Sequence, residues 1–312
     1  MIFLDNNILT FHRISKNINN AINTDPLSVS QKNFENQIIL LKKKFNIIPL
    51  EKFLQFKKNN SKKNIVITFD DGYKDNLVNA LPILNKHKVP ATIYITTKFL
   101  SKDCSIWWYE IKELIWKKSS LKFKFFQKNF NFNLKSISDK KKCYEILCKE
   151  FKKLNYKKQN LLLEIITNNK KRKQYKKELL NKNELKLINK NKLITIGSHT
   201  HNHLSLKNIS KKECEQELAK PKKILEKILK KKINHFAYPY GSFSDVSNKV
   251  AKLVQDENYK SASTTQINFI KPNKKFLLPR IYISNRDLGF ILLIKLSWFY
   301  KLYYLIKKNL NN

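Results

Sequence analysis

Glycine, arginine and methionine are all scarce in this chain. Its 312 residues hold four glycines, one methionine and, among 63 basic side chains, only four arginines: Arg13, Arg172, Arg280 and Arg286. Four glycines exclude a collagen-like or glycine-rich chain. The shortage of arginine bears on the net charge of +39. A charge of that size first points to nucleic acid or an anionic surface. Bidentate contacts to phosphate and guanine, however, are made by the planar fork of arginine, which lysine lacks. Little arginine beside abundant lysine, asparagine and isoleucine fits AT-biased codon usage, which spreads lysine without building a site. No specific nucleic-acid partner is expected.

Cysteine is also sparse. Cys104, Cys143, Cys148 and Cys214 form no CxxC pair and no zinc-module spacing, leaving free thiols in a reducing compartment as the default. The opening "MIFLDNNILTFHRIS" is interrupted at Asp5 to Asn7 and has no basic region ahead of a long apolar core. It does not read as a signal peptide, and a cytoplasmic location is expected. Long apolar runs are missing too. "LGFILLIKLSWFYKLYYLIKK" is interrupted by Lys295 and Lys301, too often to cross a bilayer. It reads as an amphipathic helix over about 287–308, packed on the domain or lying in the membrane plane with its lysines toward anionic lipid.

What is present is enough for a core: 42% hydrophobic and 12% aromatic residues. "NILTFHRI", "NIVITF", "PATIYIT" and "KLITIGS" read as buried strands. Between them lie helical patterns such as "SVSQKNFENQIILLKKKFN", with Phe34, Ile38 and Leu41 at helical spacing behind a serine cap. "NLVNALPILNKHK" reads as a helix despite Pro82. "SDVSNKVAKLVQDEN" is another, capped by Ser244 or Asp245. The alternation predicts a parallel α/β sheet. From Trp107 to Lys190 the texture turns to Lys-rich helices, with strand character only in "LKFKFFQKNFNFNL". The polar residues of interest fall where apolar strands end, where α/β folds place their chemistry.

Two such places stand out. "TFDDG" sets Asp70 and Asp71 side by side at the end of a buried strand, a costly arrangement without a compensating cation. Alone it reads equally as a β-turn, since Asp-Gly is a common turn pair. "GSHTHNH" clusters three histidines after another apolar strand. One helical turn would bring His199 and His203 onto one face, near enough to share a metal. Two histidines and a carboxylate form the set used by zinc or ferrous iron. Asp71, His199 and His203 complete that set, and Asp70 remains as general base for a water at the open position.

At these motifs the chain resembles the polysaccharide deacetylases, the NodB-homology or carbohydrate esterase family four group. "ITFDDGYKDN", "IGSHTHNHLSL" and "HFAYPYG" are similar to its first three motifs. "ILTFHRIS", "ALPILNKHKVPATIYITT", "IWWYEI" and "LLPRIYIS" extend the likeness over nearly the whole chain. The resemblance implies an α/β fold, a distorted (β/α) barrel, with a core over about 63–290 and a helical Lys-rich insertion over about 107–190, in a single catalytic domain of residues 1–312. It implies metal-dependent removal of the acetyl group from an N-acetylated sugar. Asp71, His199 and His203 would bind a divalent metal, usually zinc, and Asp70 would deprotonate the attacking water. The backbone N–H of Tyr240 would help hold the oxyanion. Tyr238, Pro239 and Gly241 of the third motif would line the substrate.

The chain departs from the family pattern in two ways. Its third motif, "FAYPYG", lacks the usual arginine, for which Arg280 of "LLPRI" is the candidate substitute or else an ordinary surface residue. It also lacks the late "LxxH" histidine that serves as general acid. Asp70 could return its own proton, and His235 and His12 are further candidates, each read first as structural. His201 reads as a solvent-facing loop residue, Asp245 as a helix N-cap, and Tyr238 and Trp107 as core or sugar-stacking aromatics. The expected function is a metal-dependent deacetylase acting on a surface-polysaccharide or glycolipid precursor. A catalytically degenerate carbohydrate-binding protein is the alternative, and a basic nucleic-acid binder the third.

Overall fold

The computed structural model describes residues 4–16, 26–55, 63–101, 104, 106–169, 173–271 and 273–310. Arg172 and the first three residues of the opening stretch lie outside them. In chain order come β1 (Asn7–Phe11), β2 (Arg13–Ser15), β3 (Ser28–Ser30), α1 (Gln31–Lys44), β4 (Asn46–Ile47), α2 (Leu50–Leu54), β5 (Asn64–Phe69), α3 (Leu81–His87) and β6 (Ala91–Ile95). Next are α4 (Trp107–Lys117), the hairpin β7 (Ser120–Phe125) and β8 (Lys128–Asn133), α5 (Ile137–Lys152), α6 (Tyr156–Thr167) and α7 (Lys182–Asn189). The last part holds β9 (Ile194–Ser198), α8 (Lys211–Leu229), β10 (His235–Ala237), α9 (Asn248–Asp256), β11 (Ser261–Ser263), β12 (Ile281–Tyr282), α10 (Gly289–Lys295) and α11 (Trp298–Leu310).

Strands β1, β5 and β6 are buried along their whole length, as central strands of a covered parallel sheet must be. The parallel order is β11-β10-β9-β6-β5-β1-β12, with β4 added at the start of β5. One short segment joins the two edges. Leu278 bridges Ser263 in parallel, and three residues later Ile281 pairs with Leu9 of β1. The sheet therefore curls into the distorted (β/α) barrel that the sequence led us to expect. Phe11 pairs with Phe69, Phe69 with Ile93, Ile95 with Ser198, and Ser198 with Phe236. That register brings the ends of β1, β5, β6, β9 and β10 to one rim of the barrel.

Helices cover the sheet through apolar faces held by serine caps. Ser30 caps α1 and Ser210 makes a capping box on α8. Phe11, Phe34 and Phe69 pack at ring distances of 5.3 to 5.8 Å in the main core. The excursion after β6 builds a second core from α4, the hairpin, α5 and α6, with Trp107 stacked on Phe151 at 4.5 Å. Tyr73 and Phe99 from the barrel's loops pack into it. Helix α7, in contrast, contributes Leu185 and Ile188 to the barrel core.

Three local expectations need correction. Helix α9 is capped by Ser247, whose side chain accepts from the Val250 N–H. Asp245 instead accepts from Ser205 Oγ at 2.8 Å and from the Ser242 N–H at 3.1 Å. The C-terminal stretch is two helices broken at Leu296 and Ser297 rather than one. Its interrupting lysines do not face outward: Lys295 pairs with Asp287, and the buried Lys301 pairs with Asp5, each at 2.8 Å. Pro82 is the second residue of α3 and directly follows a π-helical turn at Asn76–Ala80, so it lies within a continuous helical run.

Candidate active site

Asp70 and Asp71 leave the end of β5 in a tight turn. Asp71 and Gly72 take positive φ, and the Gly72 N–H donates back to the Asp70 carbonyl at 3.0 Å. The turn sends the two carboxylates in different directions. Asp70, 2% exposed, meets Arg280 head on, with Nη1 to Oδ1 and Nη2 to Oδ2 both at 2.7 Å. Arg280 is fully buried and held from behind by the Thr264 carbonyl at 3.0 Å and Thr68 Oγ1 at 3.1 Å. It sits on the segment that closes the barrel, so closure itself delivers the guanidinium to the end of β5. Burial pushes the Asp70 carboxyl up, but the Arg280 charge and its hydrogen bonds outweigh this and hold it well below the usual carboxylate range. Asp70 is therefore ionised throughout the ordinary pH range.

Asp71 faces the histidines. Its Oδ1 lies 3.5 Å from His199 Nε2 and 3.2 Å from His203 Nε2. The ligand atoms of the three side chains all fall within 4.8 Å of one another. His199 follows β9 directly, and its Nδ1 donates to the Ala237 carbonyl at 2.8 Å, which leaves Nε2 as the bare lone pair. Burial pushes its pKa down to about 4, so the ring is neutral at pH 7, as a metal ligand must be. The two imidazoles do not share a helical turn. Thr200 and His203 both take left-handed φ, of 65° and 59°, and the His203 N–H is held by Thr200 Oγ1 at 2.9 Å. Glu217 of α8 fixes the outside of this loop by accepting from the N–H groups of His201 and Asn202.

The donor set passes a physical test for a divalent cation. Asp71 Oδ1 is buried and accepts no hydrogen bond of ordinary geometry among the described residues. A buried, negatively charged oxygen without a partner, facing two imidazole nitrogens, is costly unless a cation lies between them.

A cavity of about 330 Å³ opens over these groups. Asp70, Asp71, His199 and His203 form its floor, and His12, Tyr240 and Tyr282 also line it. The insertion supplies a wall with Trp107, Trp108, Tyr144 and Lys152. Tyr240, in left-handed conformation at φ 60°, packs its ring against His203 at 4.8 Å. Its backbone N–H makes no hydrogen bond among the described residues. A larger cleft of about 1080 Å³ lies behind the histidine loop but is lined by no carboxylate.

Several expected residues fall elsewhere. Tyr238 is buried in the core against Phe236, with its hydroxyl donating to the Phe276 carbonyl, and does not line the cavity. Pro239 does not line it either. Gly241 answers a backbone need: at φ 66° a Cβ there would lie 2.7 Å from the Thr265 nitrogen. His201 turns away to Thr97 Oγ1 at 2.8 Å. His235, at the start of β10, is tied to Ser261 and Glu51 and stays out of the cavity. His12, set aside as structural, lines the cavity with Nε2 at 4.0 Å from Asp70 Oδ2 and Nδ1 without a partner among the described residues. Its signal was the one that exposed Asp70: a polar side chain immediately after a buried strand.

The sequence matches the family model described as polysaccharide deacetylase over residues 57–119 and 150–258, more than half of its length. The chain belongs to the polysaccharide deacetylase family. It is a hydrolase of carbon–nitrogen bonds other than peptide bonds, in a family of metalloenzymes. This deacetylase is 29% identical over 292 residues to the poly-beta-1,6-N-acetyl-D-glucosamine N-deacetylase of Staphylococcus aureus, covering 90% of this chain and 74% of that one. Its fold is similar to that of the Streptococcus pyogenes deacetylase PplD in complex with acetate, at a TM-score of 0.63 and 18% identity over 95% of this chain and all of that one. A de-N-acetylase from Aggregatibacter actinomycetemcomitans aligns at a TM-score of 0.60 and 13% identity, covering 92% and 97% of the two chains.

Proposed function

We propose that the protein removes acetyl groups from an N-acetylated amino sugar in a surface polysaccharide or its glycolipid precursor, using a bound divalent metal. The reading rests above all on the unpartnered Asp71 oxygen facing the two histidine nitrogens. Asp71, His199 and His203 would hold the cation, and an aspartate with two histidines suits zinc. A cation bound there would supply Lewis acidity, polarising the acetyl carbonyl and acidifying the attacking water. The whole chain works as one catalytic unit, its insertion walling the substrate cavity.

The protein's own groups then divide the work. Asp70, fixed by two bonds to Arg280, orients the water and takes its proton as the carbon–oxygen bond forms. The free N–H of Tyr240 donates to the oxyanion of the tetrahedral intermediate. His12, facing the same cavity from the end of β1, protonates the leaving nitrogen, so the carbon–nitrogen bond breaks to give acetate and a free amine. This fills the place of the missing late histidine, and with it the case for a degenerate binding protein weakens. The Staphylococcus aureus relative makes β-1,6-linked N-acetylglucosamine oligomers the first substrate to try.

The test is acetate release from such oligomers by purified protein, with metal content measured alongside. We expect about one zinc per chain, activity abolished by chelation and restored by zinc, and a loss of roughly 10²- to 10⁴-fold in Asp70→Asn. Protein that takes up no metal, or activity unchanged in Asp71→Ala, would sink the proposal.

A further inference from the structure

The two C-terminal helices are apolar on both sides. Inward, Leu292 and Leu296 join the barrel core, while Lys295 and Lys301 turn to Asp287 and Asp5. Outward, α10 shows Phe290, Ile291 and Ile294 at 64%, 60% and 43% exposure. Helix α11 shows Trp298, Tyr303 and Ile306 at 43%, 62% and 51%. Half of the large hydrophobic side chains exposed among the described residues fall between 290 and 310. That concentration runs against the composition, because a chain with 63 basic residues has ample lysine for an outer helix face. A helix that is apolar all round is ordinarily covered, and a contiguous exposed patch marks an interaction surface.

We propose that α10 and α11 seat this protein on an anionic lipid bilayer, lying in the interface with their outer faces among the acyl chains. No helix among the described residues is long and apolar enough to cross a membrane, so the contact lies in the membrane plane. Charge selects the occupant. Lys307 is exposed at the edge of the α11 stripe, and exposed Lys271 and Lys275 share a cavity of about 350 Å³ with Trp298. These ammonium groups meet lipid phosphates when the apolar face is inserted. A second copy of the chain would instead bring +39 against +39, which opposes association through this face. Trp298 and Tyr303 suit the boundary between headgroups and acyl chains, with apolar rings and polar tips. The proposal stands apart from the chemistry of the cavity and does not depend on it.

Flotation of the full chain with vesicles tests it. Mixed vesicles of phosphatidylcholine and phosphatidylglycerol in equal parts are compared with phosphatidylcholine alone, for the natural protein and for Ile294→Ser combined with Ile306→Ser. Both positions are exposed, so thermal stability and acetate release from soluble oligomers serve as controls that the variant is folded. The natural protein should float with the mixed vesicles, at least about tenfold more than with phosphatidylcholine, and the double variant should lose roughly tenfold of that binding. Bromine-labelled acyl chains should quench fluorescence in the natural protein and less in Trp298→Phe. Equal flotation of variant and natural protein would assign the contact to charge alone and overturn the proposal. So would a natural protein that ignores vesicles, whether it stays monomeric or forms a dimer that the double variant breaks.

Discussion

Asp70 and Arg280 are each buried, and each is tolerable only because the other is present. Their paired 2.7 Å bonds remove both charges from solvent, and the Thr264 carbonyl and Thr68 hydroxyl occupy further guanidinium donors. Arg280→Met leaves an uncompensated buried carboxylate, and breaking such a pair costs about 3–5 kcal/mol. With the guanidinium gone, the largest influence opposing burial is lost and the Asp70 pKa rises, so the acid limb of kcat/KM should move to higher pH. Urea unfolding and a pH–rate profile read the two effects separately. His12→Gln belongs to the other side of the reaction. It should lower kcat by roughly 10²-fold with little change in KM; an unaltered kcat would return His12 to a structural role. At this scale the sequence was informative wherever a polar residue ended an apolar strand, as at Asp70, Asp71 and His199. Tyr238 and Tyr240 were harder, because which of two residues in "YPY" turns to the core depends on the strand register and on the left-handed step at Tyr240.

The histidine loop shows what spacing alone misreads. Positions 199 and 203 suggested one helical turn, yet no hydrogen-bond ladder forms there. Two residues in left-handed conformation, Glu217 and Thr200 do the gathering instead. Intervals of four residues imply a common face only when the backbone is helical, and nothing local in "HTHNH" reveals an anchor on a later helix. The loop also buries a neutral imidazole, with a consequence for metal-free protein. His199 in the folded state has its pKa pushed down to about 4, while an unfolded histidine titrates near 6.5. Between those values the unfolded chain binds a proton that the folded chain refuses, so stability falls as pH drops from about 6.5 towards 4. The full loss is about 3 kcal/mol. Below about pH 4 the depressed carboxyls of Asp70 and Asp71 add to the loss in the same direction. Burial pushes the Asp75 carboxyl up to about 6, which works the other way over the same range, so the His199 effect is read by difference: in thermal unfolding of chelated protein, the natural chain should lose stability relative to His199→Gln as pH falls from about 6.5 to 4.

At the scale of the molecule, two cores meet at one cavity. The barrel supplies the carboxylates and imidazoles, with the buried Arg280 holding Asp70 from outside the cavity; the insertion supplies Trp107, Trp108, Tyr144 and Lys152 as a wall. Strand rhythm made the parallel α/β sheet legible and the family resemblance its closure into a barrel, whereas within 107–190 only the hairpin stretch carried strand character, since Lys-rich helices look alike whether they pack on a sheet or on one another. This division of labour predicts a division of defects. Phe151 is fully buried and stacked on Trp107, and its truncation to alanine costs about 3–5 kcal/mol. That cost falls on the insertion's core, which reaches the ligand set through Trp108 on the His203 ring at 4.9 Å, while Asp71 and His199 stand at the ends of barrel strands. Phe151→Ala should therefore keep about one metal per chain while KM for the oligomer rises more than kcat falls, because the wall loosens before the floor does. Metal analysis beside steady-state kinetics decides the matter. If metal and substrate binding are lost in parallel, the insertion and the barrel unfold as one cooperative unit, through the contacts of Tyr73 and Phe99 that tie them together.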